Sequence, residues 1–140
     1  MTPPQPAGIA PVPHLLCDIR ELVADTDSSA GAVWKLAEPG RQLDANVVHL
    51  PANATVGTHT EPDLDVLFLV VAGSGTIDSP DGAQPLAAGN VFWLPHGSTR
   101  SLRAGESGLF YLTVHRRRAG MSIRSGSPGD NQDPSPEPTR

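Results

Sequence analysis

From Ala32 onward the chain is a succession of short runs rich in β-branched and aromatic residues, "AVWKLA", "LDANVVHL", "DVLFLVVA", "GTIDS", "NVFWLP", "TRSLRA" and "LFYLTVH". Turn chemistry such as "EPGR", "SPDG" and "AGESG" divides them. No run is long enough for a substantial helix, and seven or so strands at spacings near ten residues predict an antiparallel sandwich or barrel. The run from Asp65 to Ala72 is apolar on both faces. It should therefore be central, with another sheet over one face and a core or cavity against the other. "VVAGSGTI" predicts a tight hairpin through its glycines. No repeat with a period of about 20 to 50 residues is visible.

Both ends lack the means to join a core. Nine of the 15 prolines lie in residues 1–13 or 128–138, where apolar residues are sparse and ordering entropy would go uncompensated. The expected organisation is a disordered Pro-rich start (1–14), one domain (15–116) and a disordered tail (117–140). Within the domain a short helix (18–25) precedes a barrel (32–116). In the helix Asp18 serves as cap, Glu21 stands three residues on to complete a capping box, and Ile19, Leu22 and Val23 form one apolar stripe.

Charge narrows the partners. Residues 1–115 carry 5 basic side chains against 12 acidic, and residues 116–140 carry 5 against 3. An acidic body argues against nucleic acid as the main partner, and the run Arg116, Arg117, Arg118 reads as a solvated strand end. The single cysteine, Cys17, cannot form an internal disulfide and reads as a small packed residue. No segment approaches the roughly 18 apolar residues of a membrane helix, and the N-terminus lacks a signal core. A soluble cytoplasmic protein without a membrane partner is expected.

The chemistry concentrates at residues 53 to 104. Here the sequence resembles the cupin family, small β-barrels with two motifs. The first runs Gly, five residues, His, one, His, three or four, Glu, six, Gly. The second runs Gly, five, Pro, one, Gly, two, His, three, Asn. In this chain the first motif begins at Asn53, reaches His59, has Glu61 at the second His and Val66 at the Glu, and ends on Gly73. The second has Gly89, Pro95 and Gly97 in register, then Arg100 for the third His and Ala104 for Asn. The resemblance implies a single cupin-like antiparallel β-barrel of the jelly-roll type. It also implies a metal position inside the barrel, at which most of the family's ligands are absent.

The residues at that position have their own logic. A protein-held divalent ion needs three or four converging donors. His59 and Glu61, two apart on one strand face, can supply two, whereas Val66 supplies none and Arg100 is a fixed cation. At about 5 Å and an effective dielectric of about 20, an arginine would repel a dication by on the order of 6 kcal/mol. Arg100 and Glu61 are therefore expected to form a buried ion pair in the space a metal would fill. His49, His96 and His115 are the substitute ligands to examine. "EPDLD" reads as a turn fixed by Pro62, and His96 as a solvated turn residue. Most of the aromatics, Trp34, Trp93, Phe68, Phe92, Phe110 and Tyr111, should be packing residues, with one or two lining a cavity.

Three function classes follow. The first is a metal-free small-molecule-binding protein whose ligand site is His59, Glu61 and Arg100, with Arg100 gripping a carboxylate or other anion. The second is an enzyme, with His59 as general base or with His59 and Glu61 holding iron, manganese, nickel or zinc. The resemblance allows dioxygenase, isomerase, cyclase or lyase chemistry on a small organic acid. The third is an interaction role as a homodimer paired through sheet edges. An open polar pocket at His59, Glu61 and Arg100 separates the first two from the third.

Overall fold

The computed structural model describes residues 11–25 and 29–118. The disorder expected of the two ends falls mostly on residues outside these. A helix, α1 (Ile19–Ala24), precedes seven strands: β1 (Gly31–Lys35), β2 (Leu43–Leu50), β3 (Thr55–Thr60), β4 (Val66–Ser79), β5 (Gly82–Ala87), β6 (Val91–Leu94) and β7 (Thr99–Arg116). The Asp18 carboxylate caps α1 by accepting the Arg20 amide at 2.9 Å. Ile19, Leu22 and Val23 are half-buried, as the stripe requires, and so is Cys17.

All strand pairings are antiparallel, in the order β1-β2-β7-β4-β5, with β3 also on β7 and β6 on β4. Two long strands organise the barrel. The first half of β4 pairs β6 and residues 109–114 of β7, and its second half pairs β5 and residues 101–104 of β7. Both strands thus pass from one half of the sheet to the other, and the core lies between the halves. Phe68, Val70, Leu86, Leu102 and Leu109 are buried there. Each such apolar side chain contributes about 1.5–3 kcal/mol by leaving water.

The long strands correct two expectations. "VVAGSGTI" is not a hairpin, because β4 continues through it with irregularities between Val70 and Ala72 and between Gly73 and Gly75. "AGESG" is not a turn either, since β7 runs unbroken through it. The glycines instead let two backbones touch while both strands bend. A Cβ on Gly73, whose φ is +82°, would lie 2.1 Å from the Gly108 carbonyl oxygen, and one on Gly75 would lie 2.3 Å from that of Arg103. The reversal after β4 falls at Pro80 and Asp81, within "SPDG".

The central strand also differs from expectation on its outer face. Val66, Phe68 and Val70 point into the core, but Leu67 is exposed and no second sheet among the described residues covers it. Its cross-strand neighbour Trp93 is 61% exposed, so this tryptophan is not a core residue.

Candidate functional site

A cavity of about 390 Å³ opens between the two halves of the sheet, and His59, Glu61 and Arg100 all line it. Local structure brings them there. Asn53, where the family motif begins with Gly, has φ +61°, a left-handed conformation that Asn tolerates better than most residues. The chain then enters β3, and the register sets His59 directly across from Arg100 of β7. Past the end of β3, Glu61 is anchored by its backbone. Gly97, at φ +84° in the "PHGS" corner, donates its amide to the Glu61 carbonyl at 2.6 Å.

The expected Glu61–Arg100 ion pair does not form. The Glu61 carboxylate accepts from the Arg118 guanidinium at Oε1 and from the Asp63 amide at Oε2, the latter at 2.8 Å. Burial pushes the Glu61 carboxyl up, but those donors and the Leu64 amide together outweigh it and hold it below its ordinary range. Arg118 follows the end of β7, where the Arg117 amide is tied to the Gln42 carbonyl at 2.8 Å, and its side chain lies at the cavity. The arginine run is therefore more than a solvated strand end, since Arg116 also donates to the Asp63 carbonyl at 3.3 Å.

Arg100 is the buried charged residue among those described, at 8% exposure. Its Nη1 donates to Ser98 Oγ at 3.1 Å and to the Ser98 carbonyl at 3.4 Å, while Nε and Nη2 bond to none of the described residues. Burial pushes the guanidinium below its ordinary value, and the charge of Glu61 partly offsets this. Arg100 also borders a second cavity, of about 370 Å³, on the side of Phe92, Pro95 and Ser98.

The remaining walls are apolar and aromatic. Val66, at the position of the family's Glu, is buried beside Phe68, and the Tyr111 ring stacks on Phe68 with centroids 4.6 Å apart. Thr113 and His115 of β7 complete one side, with Thr113 Oγ1 donating to Asn46 Oδ1 at 2.7 Å. His59 Nδ1 lies 3.0 Å from the Gly57 carbonyl, which can only accept. The neutral ring therefore carries its proton on Nδ1 and keeps Nε2 as an acceptor.

The other histidines separate. His49 stacks on Phe110 at 4.3 Å, away from the cavity. His96 is exposed in the "PHGS" corner, where both its amide and Nδ1 donate to Asp65 Oδ1 across the "EPDLD" bend. Only His115 of the three lines the cavity with His59 and Glu61. Among the described residues no three His, Cys, Asp or Glu side chains converge on a point where they could hold a metal ion. With a buried arginine beside them, these side chains do not fit a resident dication.

Two bent long strands, short strands completing each half and a cavity between the halves define a jelly-roll-type barrel. No protein-family model and no curated protein matches the sequence. Solved structures do match the fold. A cupin-2 domain protein from Shewanella frigidimarina aligns over 73% of this chain and 95% of its own at 16% identity, with a TM-score of 0.57. KdgF from Halomonas aligns over 61% and 78% at 22% identity and 0.55. The Schizosaccharomyces pombe Cnp3 cupin domain aligns over 61% at 19% identity and 0.54, with 59% of its own length covered. The described residues have the cupin fold. Among the described residues no helix is long and apolar enough to cross a membrane.

Proposed function

We propose that the protein is a metal-free binder of a small carboxylate or related anion, which enters the cavity and is gripped by Arg100. The observation that carries this reading is the buried guanidinium whose Nε and Nη2 donate to none of the described residues. A planar fork whose one free edge presents Nε and Nη2 suits bidentate capture of a carboxylate. His59 and Glu61 form the polar rim, and Val66 and Phe68 the apolar wall for the carbon frame. A cavity of this size at those residues favours ligand binding over a purely structural role. The reading includes a cytoplasmic protein, free or as a homodimer, with no nucleic-acid or membrane partner.

Titration calorimetry with a panel of small mono- and dicarboxylates tests it. Binding that is abolished in Arg100→Ala is expected, and binding unchanged by that substitution would defeat it. Metal analysis of protein purified without chelator or affinity tag tests the metal-free part, which near-stoichiometric iron, manganese, nickel or zinc would overturn.

His59 Nε2, which bonds to none of the described residues, favours one second reading, a metal-free enzyme that moves a proton on the same small acid with His59 as general base. Turnover lost in His59→Gln while binding persists would select it.

A further inference from the structure

Arg100 is not the only buried residue at this cavity with a polar atom that no described residue meets. Tyr111 is 7% exposed, lines the same cavity, and its hydroxyl makes no hydrogen bond to any described residue. Buried tyrosine hydroxyls usually find a partner, because an unmet donor retains its desolvation penalty. The ring is not loose, since it stacks on Phe68 with an interplanar angle of 22°. Thr113, two residues on along the same strand, has its own partner in Asn46 and leaves Tyr111 to other acceptors. The hydroxyl is also held in its donor form, because burial pushes the phenol up to about 12.

We infer that Tyr111 is a ligand-contacting hydrogen-bond donor, and that the ligand is an oxo or hydroxy carboxylic acid on a short apolar frame. Arg100 takes the carboxylate, Tyr111 donates to the second oxygen, and Val66, Phe68 and Leu102 enclose the carbon chain. A plain fatty acid leaves the phenol unmet, and a dianion would present a second charge to a neutral donor in an apolar wall. Discrimination therefore comes from a site built to hydrogen-bond one oxygen. The inference rests on the proposed anion site at Arg100 and adds the chemistry of the rest of the molecule.

The probes are hexanoate and its 2-oxo, 4-oxo and 5-oxo derivatives, measured by calorimetry near neutral pH on wild type, Tyr111→Phe and Arg100→Gln. At least one oxo acid should bind about 3–10-fold more tightly than hexanoate, the range of one neutral hydrogen bond. Tyr111→Phe should erase that preference and leave hexanoate affinity unchanged, whereas Arg100→Gln should lose all four acids. Tyr111 is the one tyrosine of the chain. Protein labelled with 3-fluorotyrosine therefore gives a single ¹⁹F resonance, which the preferred oxo acid should shift more than hexanoate does. A preference that survives Tyr111→Phe, or a resonance unmoved by a bound oxo acid, overturns the role of Tyr111 and leaves the Arg100 site standing. Acids that bind Arg100→Gln as well as wild type overturn the Arg100 reading itself. Failure of wild type to bind any of the four overturns the assigned ligand class.

Discussion

Replacing Arg100 by Met should stabilise the folded protein while destroying its anion site. In the unfolded chain the guanidinium is fully hydrated, whereas in the barrel it is 8% exposed and, among the described residues, its hydrogen bonds go to Ser98. Among the described residues no carboxylate lies within ion-pair distance of it, and Glu61 is committed to Arg118. Leaving charged donors unmet costs more than the roughly 1–3 kcal/mol of a neutral group, and the two bonds to Ser98 recover part of it. Methionine is unbranched and can follow much of the same path among Leu94 and Leu102. Exchange of a buried ion pair or triad for well-packed apolar side chains is often neutral or gains about 1–4 kcal/mol. The fixed attraction of Glu61 places the expectation near the lower end, at about 1.5 kcal/mol. Urea unfolding near pH 7 without ligand measures it. With m unchanged at about 1.5 kcal/mol/M, the midpoint should rise by about 1 M. A midpoint that falls by a similar amount would refute the reasoning, because the guanidinium would then be holding the barrel together.

The bend between the sheet halves predicts that Gly73→Ala is severely destabilising. The left-handed φ alone costs about 1–2 kcal/mol. With the collision of the new Cβ against the Gly108 carbonyl, the loss should exceed about 3 kcal/mol in thermal or urea unfolding. A loss under about 1 kcal/mol would show that backbone approach does not set the bend. At Glu61 the folded pKa is depressed, so its stabilisation is complete above its ordinary value of 4.5 and is lost as pH falls through the lower folded value. Glu61→Gln should therefore be less stable than wild type near pH 7, with the difference closing as pH drops below about 4. An undiminished difference near pH 3 would contradict the ionised Glu61 carboxylate, held by the Asp63 amide and Arg118, as its source.

Sequence reading reached the architecture because strand runs and turn chemistry are local signals. The motif register added the barrel and brought His59, Glu61 and Arg100 to one cavity. What it missed had non-local causes. Glycines in "VVAGSGTI" and "AGESG" look like turns in a single chain, and only their approach to one another shows that they are paired bends. A parity change did carry that information. Arg100, Leu102 and Ala104 face inward on even positions, and Leu109, Tyr111 and His115 do so on odd ones. One strand manages both only by an irregularity between them. The Arg118 contact with Glu61 had no sequence signal, since 57 positions separate the partners and charge composition alone cannot choose between two arginines. Trp93 was misplaced because alternation in a four-residue strand cannot say which face is covered.

Because β7 carries Arg100 on one side of its bend and Tyr111 and His115 on the other, the distance in residues between them is itself a determinant of the site. Removing one residue from 105–107 would keep every functional side chain and every apolar one in the sequence. With the bend still reversing the alternation, the two segments would now share one parity, and either Arg100 or the Tyr111–His115 segment would turn outward. Such a chain could pass for an intact relative by composition and motif while lacking a pocket. Among sequences of this type, the length of that glycine-flanked interval is therefore a more discriminating mark of a working cavity than the identity of any single residue within it.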